Sequence, residues 1–190
     1  MLKVLLVNDT RKQVGKLRES LIAAGCSVEE VSQALFIPRQ VDALQPDLVI
    51  IDTDSPSRDV LEQICVVTQD APRPIVMVSD DSQPAAIKAA ISAGVSAYVV
   101  EGIDKGRLAA VLTVAQARFE ADQSLKEQVK VAEGKLNERK DIERAKGMLM
   151  KLRGLNEADA YHAMRKMAMD QNVRISDVAA KLLSVNDLLS

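Results

Sequence analysis

The placement of proline constrains this chain more than any other feature. All six prolines lie at or before Pro84, and the 106 residues that follow contain none. Proline locks φ and removes a backbone donor, so it interrupts helices. Prolines in the front half therefore mark loops and strand ends, and their absence afterwards permits unbroken helix. Five strand-like runs stand in the first hundred residues: Leu2–Val7, a weaker one at Val28–Val31, Leu48–Ile51, Ile75–Val78 and Tyr98–Val100. Four are near-continuous aliphatic stretches, the pattern of strands covered on both faces. Helical stretches separate them: Val14–Ala24, with Val14, Leu17 and Leu21 at one-face spacing, Arg58–Val67 and Ala85–Ala93. Gly25 and Gly94 stand where helices stop. Alternating strand and helix predicts an α/β fold with a doubly wound, five-stranded parallel sheet.

The apolar share is 47% with 2% aromatic residues and no Trp, so Leu, Val, Ile, Ala and Met must build the core. The opening MLKVLLVNDT turns polar at positions 8 and 9. It is too short for a signal peptide or a membrane span, and reads as a buried strand. Cys26 and Cys65 lack metal-ligand spacing, which fits free thiols in a reducing cytoplasm. His162 is the lone histidine and cannot by itself anchor a metal or a triad. With no phosphate-binding glycine loop and no nucleophile beside a base, no enzyme is expected. Charge is uneven: residues 1–117 hold 15 acids and 11 bases, residues 118–190 hold 12 and 14, and 139–166 hold four and eight. An acidic half thus precedes a mildly basic one.

From Asp104, a possible cap, a helix is predicted through Leu108, Val111, Leu112 and Ala115, with no break before Gly134. Leu125, Val129, Ala132 and Leu136 follow 4-3-4 spacing. That seam suits a partner helix in a homodimer, or the chain's own helices. Gly154 is expected to end a helix containing Ile142, Ala145, Leu149 and Leu152. Asn156 should cap the next, which buries Ala160, Ala163, Met164, Met167 and Ala168. Ser176 should cap the last, with Val178, Ala179, Leu182 and Leu183 inward. The expected layout is a domain over 1–117, a helical coiled-coil linker over 118–137 and a three-helix module over 138–190.

The strand ends carry Asn8-Asp9, Asp52, Ser79 and Tyr98…Glu101, which converge in a sheet of this kind. This layout resembles the receiver domain of bacterial response regulators, a flavodoxin-like fold. The resemblance implies an acceptor aspartate at Asp52, a carbonyl donor at Asp54, a hydroxyl at Ser79 and an aromatic switch at Tyr98. It also implies Mg2+ as a possible ligand of Asp9 and Asp52, with no other cofactor. Two positions depart from the family pattern: Asn8 stands for one of the paired acids and Glu101 for a lysine. A phosphoryl group at Asp52 would bring about 1.5–2 negative charges, which a lysine stabilises and Glu101 opposes. A pseudo-receiver that signals by protein contact is the reading these residues favour.

In Arg139–Arg153, RKDIERAKGMLMKLR, the cations Arg139, Lys140, Arg144, Lys146 and Lys151 mostly lie off the apolar face. Arg165, Lys166 and Arg174 add to them. On charge pattern alone this is equally an ordinary solvated face. However, IERAKGMLM, NEADAYHAMRKMAM and RISDVAAKLL closely resemble the ANTAR domain, a three-helix RNA-binding module of antitermination regulators. The whole chain resembles the nitrate/nitrite-responsive antiterminators of the NasT type. That resemblance implies tandem stem-loops in leader mRNA as target and a nitrate/nitrite-sensing NasS-type protein as partner. Lys and Arg would supply phosphate contacts, and unpaired loop bases would supply specificity. Two other classes stay open: a phosphorylation-dependent regulator acting on RNA or DNA, and an adaptor working through protein contacts alone.

Overall fold

The computed structural model describes residues 1–9, 15–32, 37–103 and 105–189. Contacts divide the chain into two compact units, Met1–Gln123 and Ser124–Ser190. In the first unit the elements are β1 (Lys3–Asp9), α1 (Gly15–Ala23), β2 (Ser27–Val31), α2 (Ile37–Leu44), β3 (Leu48–Thr53), α3 (Arg58–Asp70), β4 (Ile75–Ser79), α4 (Pro84–Ala93), β5 (Ala97–Val100) and the start of α5 (Lys105–Arg153). The strands form one sheet in the order β2-β1-β3-β4-β5, every neighbouring pair parallel.

Strand alternation sends successive side chains into two apolar layers. Leu5, Val7, Val49, Ile51, Ile75 and Met77 meet α2, α3 and α4 through Ile37, Val41, Ile64 and Ala90. Val4, Leu6, Leu48, Ile50, Val76 and Val78 meet Leu17 and Leu21 of α1 and Leu108, Leu112 and Ala115 of α5. Each fully buried aliphatic side chain contributes about 1.5–3 kcal/mol, which explains why these strands are near-continuous apolar runs.

Val14 and Asp104, expected in a helix face and at a helix cap, lie outside the described residues. Helix α2 was not expected, although Ile37, Val41 and Leu44 have helical spacing. Pro38 is its second residue and Pro84 opens α4. Both sit in a first turn, where the missing donor costs nothing, so these prolines mark helix starts rather than loops. Gly25 and Gly94 do terminate helices, at φ +84° and +110°. Gly94 is required twice over, because a Cβ there would stand 2.6 Å from Thr68 Oγ1.

The second unit holds the rest of α5, α6 (Glu157–Gln171) and α7 (Ile175–Leu189). The first helix of the expected module is thus the C-terminal part of α5, which runs through Gly134 without interruption. Gly154 follows it at φ +65°. Asn156 caps α6, accepting the Asp159 N–H at 2.9 Å and donating from Nδ2 to the Asp159 carboxylate at 2.7 Å. Ala145, Leu149, Ala160, Met164 and Ala179 form the core, with Ile142, Leu155, Ile175, Leu182 and Leu183 packed on it.

Two expectations are corrected here. Ser176 lies inside α7 rather than capping it. The Arg174 N–H instead donates to the Asp177 carboxylate at 3.1 Å, so the cap comes from a side chain three residues inward. Leu152 is 70% exposed and leaves the buried face. Among the described residues, no helix is long and apolar enough to cross a membrane.

Candidate functional site

The sheet register brings the front-half residues together. Asn8 lies beside Asp52, and Asp9 beside Thr53, in the β1–β3 pair. Thr53 lies beside Ser79 in β3–β4, and Ser79 beside Val100 in β4–β5. Asn8 and Asp52 are half-buried, Asp9 and Asp54 are exposed, and Ser79 is buried.

Hydrogen bonds lace the loops above these strand ends. The Ser79 hydroxyl donates to the Asp54 carbonyl at 3.1 Å and accepts the Asp81 N–H at 3.2 Å. The Asp81 carboxylate accepts from the Ser55 hydroxyl at 2.8 Å and from the Gln83 N–H at 2.9 Å. These two donors, the backbone one first, hold the Asp81 carboxyl below the usual aspartate range. Tyr98 packs half-buried on the first apolar layer, and its hydroxyl donates to the Asp81 carbonyl at 2.8 Å. Asp81 therefore joins the loop after β3, the loop after β4 and the aromatic of β5. Sequence reasoning passed over Asp81, and its only signal was a polar Ser-Asp-Asp run at a strand end.

Glu101 takes φ +64°, a left-handed conformation unusual for a residue with a Cβ, and its N–H donates to the Ser79 carbonyl at 3.1 Å. Asp9 and Asp52 are the carboxylates that would hold a receiver's divalent cation, with Asn8 bringing one charge fewer than the family's paired acid. Among the described residues no three His, Cys, Asp or Glu side chains gather into a metal-binding group.

In the second unit the eight candidate cations fall into two groups. Arg139, Lys140, Lys151, Arg165 and Lys166 are exposed, and no ion pair within the described residues engages them. Lys140, Arg144 and Lys151 share one stripe of α5, at i, i+4 and i+11. Arg144 lies 3.8 Å from Asp141, and Arg174 lies 3.4 Å from both Glu138 and Asp177.

Lys146 stands apart from the other seven. It is only 9% exposed, and its Nζ lies 2.6 Å from Glu143 Oε2 and 2.7 Å from Glu157 Oε1. Hydrogen bonds to Glu143 and then Glu157 raise its pKa, and the same contact lowers that of Glu157. An ammonium so engaged ties the start of α6 to α5 and has little left to offer a phosphate. This placement departs from the expected solvent-facing contact, because the second carboxylate is 11 residues away and comes close only through the turn.

The seam is exposed. Leu125, Val129 and Leu136 are 60%, 48% and 53% accessible, and Ala132 is exposed as well. Among the described residues, no side chain buries any of the four.

A five-stranded parallel sheet with acids and a hydroxyl at its strand ends is a receiver fold. The response regulator receiver domain family matches residues 4–113, and the ANTAR domain family matches residues 130–183. The chain belongs to the response regulators that join a receiver domain to an ANTAR domain, a family that is regulatory rather than enzymatic. It is 32% identical over 139 residues to the transcriptional regulatory protein PdtaR of Mycobacterium tuberculosis, covering 73% of this chain and 68% of that one. It is 46% identical over 66 residues to the nitrate regulatory protein of Klebsiella oxytoca, covering 35% of this chain and 17% of that one. Among solved structures, the receiver domain of a modulated diguanylate cyclase from Desulfovibrio desulfuricans G20 superposes with TM-score 0.55 at 20% identity, over 64% of this chain and 99% of that one. That last likeness speaks for the fold alone.

Proposed function

We propose that this chain is a cytoplasmic transcription antitermination regulator that binds tandem stem-loops in nascent leader RNA. ANTAR domains bind RNA, and the observation that carries the reading is where the ANTAR match falls. It coincides with the helical unit in which five exposed cations have no carboxylate engaging them. Those cations would take phosphates, and each phosphate contact releases counterions and makes affinity salt-dependent. Sequence would be read on unstacked loop bases, since the deep groove of duplex RNA is closed to side chains. Protein gripping the hairpins would hold the transcript out of an overlapping terminator and let polymerase proceed.

The receiver half acts in this reading as a pseudo-receiver. Hydrogen bonds through Ser79, Asp81 and Tyr98 tie together the loops beside its strand ends. Glu101 puts a carboxyl where a phosphoryl group would need a cation. Control then comes from a partner, and the likeness to a nitrate regulatory protein favours nitrate or nitrite assimilation genes and a NasS-type sensor. The exposed Leu125–Leu136 stripe supports a homodimer, which would present two modules to two hairpins.

The test is competition at equal salt between a two-hairpin leader RNA and duplex promoter DNA of matched length. Preference for RNA by about 10-fold or more supports the reading. Equal affinity, or preference for DNA, returns the chain to the DNA-binding response regulators.

A further inference from the structure

Where the C-terminal turns of α5 meet α7, the surface opens into a groove of about 410 Å³. Arg144, Gly147, Met148, Lys151 and Leu152 line it from α5 and Leu183 from α7. That volume falls in the range of small-molecule sites, roughly 300–1,000 Å³.

Gly147 is the telling residue. It lies inside a helix, where glycine costs about 1 kcal/mol against alanine. Among the described residues nothing asks for it, because a Cβ there would meet no atom within 4 Å beyond its own helical backbone and its φ is not positive. Gly106 and Gly134 are equally unhindered, but neither lines this groove. Leu152 reinforces the point, since it lies 70% exposed on the same wall despite being apolar. A bare floor, apolar walls and two flanking cations describe a place for a flat, partly apolar group carried on an anionic backbone.

We infer that this groove is a base-binding subsite, in which one unstacked nucleobase of the hairpin loop lies over Gly147. The inference rests on the RNA-binding reading above and deepens it by naming where specificity arises. The base packs on Met148, Leu152 and Leu183, and its flanking phosphates meet Arg144 and Lys151. Glu143 also lines the groove while holding Lys146 at 2.6 Å. A carboxylate at that edge repels a bare phosphate from the centre and favours a base with an amino group to donate. Lys146 serves here as a positioning residue, because its contact fixes Glu143 at the rim.

The experiment uses the full chain and a pool of tandem-hairpin RNAs with randomised loops. RNAs are enriched on the wild type, and the enriched hairpins are then measured against Gly147→Leu, Gly147→Ala and Leu152→Ser. Thermal melting comes first. Gly147→Leu is expected to melt no lower than wild type, because its side chain enters open space.

The leucine fills the floor, so binding of enriched hairpins should fall at least 10-fold, loop preference should vanish, and the salt slope should stay unchanged. Gly147→Ala should lose less, and Leu152→Ser should lose preference without blocking the groove. An abasic nucleotide at one loop position should weaken the wild type and leave Gly147→Leu indifferent. If Gly147→Leu enriches the same loops with the same affinity and the same abasic penalty, the subsite is overturned while the RNA reading stands. If the wild type enriches no loop and binds heparin equally well, the RNA reading falls and takes the subsite with it.

Discussion

Neutralising Arg165 and Lys166 together tests the electrostatic reasoning most directly. Both side chains are exposed on α6, and no ion pair within the described residues engages them. Each cation that meets a phosphate contributes about −0.7 to −0.9 to the slope of log affinity against log salt. Arg165→Gln with Lys166→Gln should therefore flatten that slope by about 1.4–1.8. Referred to 1 M salt, where the contacts contribute nothing, the loss at ~0.15 M salt is about 15–30-fold. Arg174→Gln should flatten the slope by less than half as much, because Arg174 must first leave Glu138 and Asp177, each at 3.4 Å. Lys146→Gln should not change the slope at all. The assay is fluorescence anisotropy on a two-hairpin RNA from about 50 to 300 mM salt, with circular dichroism confirming helix content. An unchanged slope in the double variant, with helix content intact, would refute the assignment of these cations.

The Lys146–Glu157 contact should leave a two-sided pH signature. Glu157 is depressed, so its contribution is full above the ordinary glutamate value, about 4.3, and is lost as pH falls through the lower folded value. Lys146 is raised, so its contribution is full below about 10.4 and is lost as pH rises through the higher folded value. Thermal melts across pH should show Glu157→Gln losing part of the acid limb while keeping the alkaline one through Glu143. Gly94→Ala should destabilise the receiver half by about 2–5 kcal/mol, combining strain at φ +110° with the 2.6 Å clash on Thr68. Adding Thr68→Ala should recover part of that loss in urea melts. Asp52→Asn should leave RNA binding and reporter antitermination nearly intact, and a large loss in a folded variant would restore control by phosphorylation.

The sheet was legible because five strand-like runs, four of them near-continuous aliphatic stretches, separated by turn residues admit few other folds. The caps at Gly25, Gly94, Gly154 and Asn156 were legible because left-handed stops and Asx caps depend on single residues. Helix α2 was not, because Pro38 reads as a breaker unless the helix start is already known. The α7 cap was missed for a related reason: its carboxylate sits inside the helix, three residues from the donor it satisfies. Lys146 shows a different limit. Its charge is plain in the sequence, whereas its burial depends on Glu157, which only the turn after Gly154 brings within 2.7 Å. Asp81 was passed over because its role is to join two loops and the Tyr98 hydroxyl, and a Ser-Asp-Asp run at a strand end does not announce that.

Three of the five residues at the centre of the α5–α6–α7 core are alanines: Ala145, Ala160 and Ala179. Small side chains at this centre let α6 and α7 approach closely at Ala160 and Ala179, and an added carbon at any of the three positions must push against the packed Leu149 and Met164. A saturation scan should thus invert the customary ranking. The smallest positions, 145, 160 and 179, would tolerate least, while the large apolar Leu152 and Met169 would accept nearly anything without unfolding.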